Sequence, residues 1–160
     1  MYKCDEKQDV CITAQYTGDM IRVDRLSGFF TEYHWVWNDG EPVCIDDISR
    51  AIHERQSEES TPFGDNSKYP CMECKPTSWH IRRVLYFIKH PDEIRDIEID
   101  NLCDGYYICP IPVIVDGNHR LLAAIWLNVR GEMDVVHCRY GGRDDLLEYL
   151  TGASDTLPLE

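Results

Sequence analysis

The chain lacks the features that would place it in a membrane or carry it out of the cell. Its longest apolar run falls far short of the ~20 residues that a membrane-spanning helix needs. The N-terminal segment, MYKCDEKQDV, carries acids where a secretory signal peptide has a basic start followed by an apolar stretch. We therefore expect a cytoplasmic protein that does not associate with membranes.

Basic residues are scarce. The chain of 160 residues has 16 lysines and arginines against 29 acids, a formal charge of -13. Such a charge repels a phosphate backbone, so direct binding to nucleic acid is not expected. It attracts basic proteins, including nucleic-acid-binding proteins whose channels accept a polyanion. The simplest alternative is a solvated acidic surface that keeps the protein soluble.

Repeats and low-complexity tracts are also missing. Hydrophobic residues make up 43% of the chain and charged residues 28%, which is ordinary for a globular protein. A chain of this size folds as one domain and buries ~70% of the surface that its unfolded form exposes. We therefore expect a single domain over residues 1–160.

The eight cysteines have no secretion signal beside them, so they do not indicate a disulfide framework. Cys71 and Cys74 have the Cys-x-x-Cys spacing of a metal-binding or redox pair, in a loop bounded by prolines. Three alternatives stay open for this pair: reduced thiols without a metal, zinc ligands, or a redox couple.

The first forty residues predict a β-rich N-terminal extension. Val10, Ile12 and Ala14 alternate with polar neighbours, as Ile21 and Val23 do further along. The aromatic-rich segment that follows ends in an Asp-Gly step, which is a strong turn signal.

From residue 42 the pattern changes to strands and helices. Residues 42–45 predict a short strand that leads into a helix capped by Asp46 or Asp47. Apolar residues at helical spacing form the inward stripe of that helix: Ile48, Ala51 and Ile52. Residues 54–77 are polar and rich in serine, proline and acids, so we expect a long loop or insertion there.

The second half predicts strands that alternate with helices. A helix starts near Pro76, stops at His90, and has one apolar face at the spacing i, i+3, i+4, i+7: Ile81, Val84, Leu85 and Ile88. A strand at 96–100 and a loop at 101–107 follow. Residues 110–115 predict a wholly apolar strand, buried on both faces.

The C-terminal part predicts one more strand and one more helix. Residues 133–138 have the pattern of a strand, and the Gly141-Gly142 step opens the last helix. The inner face of that helix consists of Leu146, Leu147 and Leu150.

The most informative stretch is the turn between the apolar strand and the following helix. The strand ends at Asp116, Gly117 allows a sharp change of direction, and a helix rich in leucine and alanine begins almost at once. The first amides of a helix have no internal partners, and with the helix dipole they favour an anion. Asp116 can cap these amides, and Arg120 can bind a phosphate with two hydrogen bonds. His119 can act as a general acid or base because we expect its pKa to lie near neutrality.

This turn, Asp116-Gly117-Asn118-His119-Arg120, resembles the signature turn of the ParB/sulfiredoxin superfamily. The family also places a helix and a short strand before the turn, and a strand and a helix after it. The resemblance implies an α+β fold: a small mixed sheet with flanking helices over residues 42–151, with the insertion at 54–77. The N-terminal extension, residues 1–40, is peculiar to this chain.

The chemistry of the family transfers only where residues match. Sulfiredoxins carry a reactive cysteine where this chain has Asn118, so sulfinic-acid reduction is not expected. Chromosome-partitioning ParB proteins add a DNA-binding domain, for which this chain has no room. Relatives that phosphorylate free serine carry Asp-Gly-His-Thr-Arg at the turn, which is similar to the turn of this chain.

Two functional hypotheses follow. In the first, a phosphate compound or a nucleotide with Mg²⁺ binds at Gly117, Asn118, His119 and Arg120, and His119 or Asp116 moves a proton in a phosphotransferase or nucleotide hydrolase. In the second, the protein is a non-enzymatic acidic accessory protein, of the kind that phages or mobile elements encode, which binds and inhibits a basic partner.

Overall fold

The structure, a computed structural model, describes residues 18–30, 41–62, 75–103 and 107–158, without the side chains of 101–103 and 107–110. Along these residues the order of elements is β1 (Asp19–Arg22), α1 (Val23–Ser27), α2 (Ile45–His53), α3 (Thr77–Lys89), a 3-10 turn (Pro91–Glu93), β2 (Ile97–Cys103), β3 (Tyr107–Asp116), α4 (Asn118–Val129), β4 (Val135–Gly141) and α5 (Asp144–Thr151).

The described strands form a mixed sheet of four strands in the order β1-β4-β2-β3. β4 runs parallel to β2, while the pairs β1–β4 and β2–β3 are antiparallel. Helices pack beside this sheet, and the expected α+β class is confirmed.

Helix α4 lies at the centre of the core. Its residues from Leu121 to Ile125 are all buried, in agreement with the predicted buried helix, and the two alanines allow neighbouring elements to approach closely. α4 packs against α3, and it also contacts α1, α2 and β2. Because apolar neighbours surround it, α4 fixes where the turn before it lies.

The predicted face of α3 is only partly correct. Val84 and Leu85 are buried, whereas Ile81 and Ile88 lie at the margin of the core. Trp79 and His80, near the start of the helix, are also buried, at 1% and 0% exposure. The apolar pattern alone did not place a histidine in the core.

Two predictions about the β2–β3 region are wrong. In the loop expected at 101–107, residues 101–103 and 107 belong to strands, because β2 and β3 pair as far as Cys103 and Tyr107. The strand expected to be buried on both faces lies at the edge of the described sheet, where Ile111 and Val115 are 47% and 54% exposed. An apolar run does not reveal which strand is outermost.

The region before α3 also departs from prediction. Residues 42–45 form no strand beyond a single bridge at Pro42. The N-cap of α2 is Cys44, whose backbone N–H donates to Asp47 Oδ2 over 2.9 Å, so Asp47 supports the cap from the third helical position. Ile52 is 39% exposed and does not belong to the inward stripe.

The remaining predictions, for the N-terminal extension, the insertion and the last helix, are confirmed only in part. Val23 starts α1 and does not continue a strand. Residues 1–17 and 31–40, most of the predicted β-rich extension, lie outside the described residues, as do 63–74 of the predicted insertion. In α5, Leu146 and Leu150 are buried as predicted, while Leu147 is partly exposed.

The turn gives the first testable prediction, which concerns stability. Gly117→Ala places a side chain at a φ of +98°, with its Cβ only 3.2 Å from the Arg120 guanidinium. We expect a loss of about 1–2 kcal/mol from the backbone conformation, and more from displacing Arg120. Urea unfolding measures the loss as a lower midpoint at constant m value.

Gly131→Ala is the matched control, since Gly131 also has a positive φ, of +74°, but its Cβ would meet nothing within 4 Å. The free energy of unfolding of this control should fall only by the part that comes from the backbone conformation. Equal losses for the two variants would contradict the contact that we assign to Arg120.

Candidate functional site

The predicted strand–turn–helix is confirmed at the predicted residues. β3 ends at Asp116, Gly117 adopts the left-handed conformation, and α4 begins at Asn118. The carbonyl of Gly117 accepts the first helical hydrogen bond, from the Leu121 amide at 2.8 Å. The N-cap is therefore Gly117 itself, and no side chain caps this helix. The expectation that Asp116 caps the helix is wrong, because its carboxylate is engaged elsewhere.

Arg120 folds back over the turn. Its Nη2 donates to Asp116 Oδ2 over 3.1 Å, and its Nη1 donates to the backbone carbonyls of Arg95 and Asp96 over 2.5 and 3.3 Å. The Arg120 side chain is 20% exposed, whereas that of Asp116 is 67% exposed. Three of the five guanidinium donors are thus used to tie the turn to the residues before β2.

His119 points into the protein and bonds to a second histidine. His119 Nε2 lies 2.9 Å from His80 Nδ1. The ring planes differ by only 13°, and the ring centroids are 5.2 Å apart. With two ring nitrogens 2.9 Å apart, this centroid distance means that the rings meet edge to edge in nearly one plane. Each neutral imidazole has a single N–H, so one of the two nitrogens donates and the other accepts.

The pair is enclosed by aromatic and cationic side chains. The ring of Trp79 contacts both imidazoles edge-on, with centroids 5.3 Å from His80 and 5.8 Å from His119. The Lys75 ammonium lies 4.8 Å above the same indole ring, and Lys75 is only 2% exposed. No motif or periodicity pointed to Lys75, which precedes α3.

Both imidazoles are neutral at neutral pH. Burial lowers the pKa of His119 well below its usual value, and His80, Arg83, Arg120 and Lys75 lower it further. Burial and the Lys75 charge lower the pKa of His80 to about 4, against a smaller opposing effect from a hydrogen bond with the Lys75 backbone. The expectation that the pKa of His119 lies near neutrality is wrong, because that expectation assumed a solvated side chain.

Arg83 approaches the pair from α3, one turn after His80. Its Nη1 donates to the backbone carbonyls of Glu59 and Ser60, each over 3.1 Å. Its guanidinium also covers the rings of Tyr86 and Phe87 at 4.7 and 4.5 Å. The spacing of His80 and Arg83 at i and i+3 was the available signal that both lie on one helical face.

The zinc prediction stays a prediction. Cys71 and Cys74 lie outside the described residues. Within the residues that the structure describes, no three His, Cys, Asp or Glu side chains converge as a metal site would require. Of the described cysteines, Cys44 is an exposed thiol, and burial raises the pKa of the Cys138 thiol to about 12. Cys138 is therefore protonated and unreactive at neutral pH.

Comparison with known proteins adds no relative. The chain has no significant match among protein-family models, curated proteins or solved structures. Over the part of the chain that the structure describes, none of the helices is long and apolar enough to cross a membrane.

The buried pair generates a prediction about pH. Between pH 7 and 5 the folded pair stays neutral, while the same imidazoles in the unfolded chain, with pKa values of about 6.5, take up protons. The unfolded state then binds more protons, so the free energy of unfolding falls as the pH falls, toward the folded pKa of about 4 for His80. We expect the free energy of unfolding to fall by up to about 1.4 kcal/mol per pH unit for each imidazole.

Urea unfolding at several pH values measures this slope. The double variant His80→Gln/His119→Gln should lose it, whereas His53→Gln, which removes an exposed imidazole, should keep it. A stability that does not change between pH 7 and 5, or a double variant with the slope of the wild type, would contradict the assignment.

Proposed function

We propose that the protein is a small phosphate- or nucleotide-binding protein of the ParB/sulfiredoxin-like fold, whose ligand binds at the turn from Asp116 to Arg120. The observation that carries the proposal is electrostatic. In a chain with a formal charge of -13, Lys75, Arg83 and Arg120 act together on buried His119, and Lys75 also acts on its partner His80. A local excess of positive charge in an acidic protein favours an anionic ligand.

The geometry of the turn supports the same ligand class. The N-terminal amides of α4 follow directly after Gly117, where helix amides and the helix dipole favour negative charge. Arg120 lies over this turn and has two guanidinium donors beyond those that its described contacts use. Asn118 lies in the first turn of the helix and is only partly buried.

The order of elements is consistent with the resemblance. A helix and a strand, α3 and β2, precede the turn, and a strand and a helix, β4 and α5, follow it. This is the order that the ParB/sulfiredoxin superfamily places around its signature turn.

Each side chain then has a role in phosphoryl chemistry. Arg120 and Arg83 hold phosphate oxygens and offset the negative charge that builds up in transfer. His119 is the imidazole that would move a proton, once a bound anion offsets the nearby cations that lower its pKa. Asp116 holds Arg120 through their ion pair, and it is the exposed carboxylate at the turn. The class of reaction is a phosphotransferase or a nucleotide hydrolase.

The alternative is a non-enzymatic acidic accessory protein that binds and inhibits a basic, nucleic-acid-binding partner. The formal charge of -13 favours it. Exposed acids also lie in the first turns of two helices: Asp46, Asp144 and Asp145. Binding through such a surface weakens steeply with salt, since both partners release counterions.

Thermal unfolding with ATP, ADP, CTP or GTP, each with Mg²⁺, tests the first proposal. A ligand at one hundred times its dissociation constant stabilises the folded protein by about 2.7 kcal/mol, which raises the melting temperature by roughly 5–10 °C for a domain of this size. We expect one nucleotide to produce this shift in wild type and not in Arg120→Ala.

Arg130→Ala is the matched control, because Arg130 lies at the other end of α4 and pairs with Glu132 at the surface. Its ligand-induced shift should equal that of wild type, even if both variants melt at a lower temperature without ligand. If no nucleotide shifts the wild type, nucleotide binding is ruled out, and failure of inorganic phosphate as well overturns the ligand-binding proposal. A complex with a basic protein that dissociates at high salt would then favour the alternative.

A further inference from the structure

The direct hydrogen bond between His80 and His119 limits how many protons the pair can hold. With one added proton, the charged ring donates to the neutral ring, and the N–H···N bond of 2.9 Å becomes charge-assisted and stronger. With two added protons, Nδ1 of His80 and Nε2 of His119 both become donors and repel each other. The pair can therefore accept one proton without losing its geometry.

The groups around the pair oppose that proton in the absence of a ligand. Both rings are buried, at 0% and 7% exposure. Three positively charged side chains lower the pKa of His119: Lys75 before α3, Arg83 on α3 and Arg120 on α4. Bringing a fourth positive charge to this region is costly in a medium of low dielectric constant.

Two described carboxylates near these cations, Asp116 and Glu59, already have partners. Asp116, at the end of β3, pairs with Arg120 over 3.1 Å. Glu59, in the loop after α2, lies 3.8 Å from Arg82, and its backbone carbonyl accepts from Arg83. An anionic ligand among the cations would supply the negative charge that makes a proton on the pair favourable.

We propose that the site binds its phosphate-type anion together with one proton, which the His80–His119 pair takes up from water. This inference rests on the proposed function and adds His80 to the site as the partner that stabilises protonated His119. One N–H bond forms on the pair, and one bond to hydrogen breaks in the hydronium ion or buffer acid that supplies the proton. The pair then holds a proton that can be returned to an oxygen of the ligand, as a general acid requires.

Proton linkage has a direct measure. Sulfate is a suitable probe because it is a tetrahedral dianion that stays fully ionised near neutrality, so any proton uptake belongs to the protein. Isothermal titration at pH 6, in two buffers with different ionisation enthalpies and equal ionic strength, gives the number of protons from the difference in binding enthalpy. We expect wild type to take up about one proton per bound sulfate, and its affinity to rise tenfold for each pH unit lowered.

Variants of the two histidines test whether the proton binds to this pair. His80→Gln keeps a hydrogen-bonding side chain but holds no charge, so uptake should fall, and the double variant His80→Gln/His119→Gln should show none. His90→Gln, at the C-terminal end of α3, is the matched control and should keep the uptake of wild type. Circular dichroism checks that each variant is folded.

A second measurement uses wild type alone. The ¹⁵N chemical shifts of the two imidazoles, recorded without and with sulfate at pH 6, should change from neutral to protonated values when the anion binds. This result does not depend on whether the variants fold.

The outcomes separate the two proposals. Binding of sulfate without proton uptake, or equal uptake in the folded double variant, overturns the proton step and leaves the anion site in place. Failure of sulfate, inorganic phosphate and every nucleotide to bind wild type between pH 5.5 and 7 overturns both proposals.

Discussion

The contact on which the site depends is the one between Arg120 and the backbone around it. A single guanidinium spans Asp116 at the end of β3 and the carbonyls of Arg95 and Asp96 before β2. Charge-assisted bonds of this kind are stronger than neutral ones. They hold the turn against the sheet while the buried face of α4 holds the helix in the core. The direction of the first helical amides follows from these two constraints.

The protein combines two opposite electrostatic environments. Its formal charge is -13, whereas buried His119 lies in the field of Lys75, Arg83 and Arg120. The acidic surface keeps polyanions such as nucleic acids at a distance. In the proposed binding mode, an anion would lie near these cations at low dielectric constant, where each charge acts more strongly than in water. On that proposal, the contrast favours a compact anion over a polyanion.

The sequence was sufficient for features whose determinants are local. The turn at Gly117 and the buried helix after it were predicted at the correct residues. A glycine between an apolar strand and an apolar helix indicates a sharp turn at that position. The pairing of His80 with His119 was not predicted, since 39 positions separate them in the chain and no periodicity links them. The exposure of Ile111 was missed for a similar reason, because strand order depends on the whole fold.

The close approach of Gly117 and Arg120 has a consequence for how this turn can change in evolution. Any side chain at 117 would lie 3.2 Å from the guanidinium, so residue 117 is restricted by residue 120 as well as by its own φ of +98°. Loss of Arg120 would remove the steric part of that restriction and leave only the backbone part. The two positions are therefore epistatic: the penalty for a substitution at one depends on the residue at the other, and their effects on stability do not add.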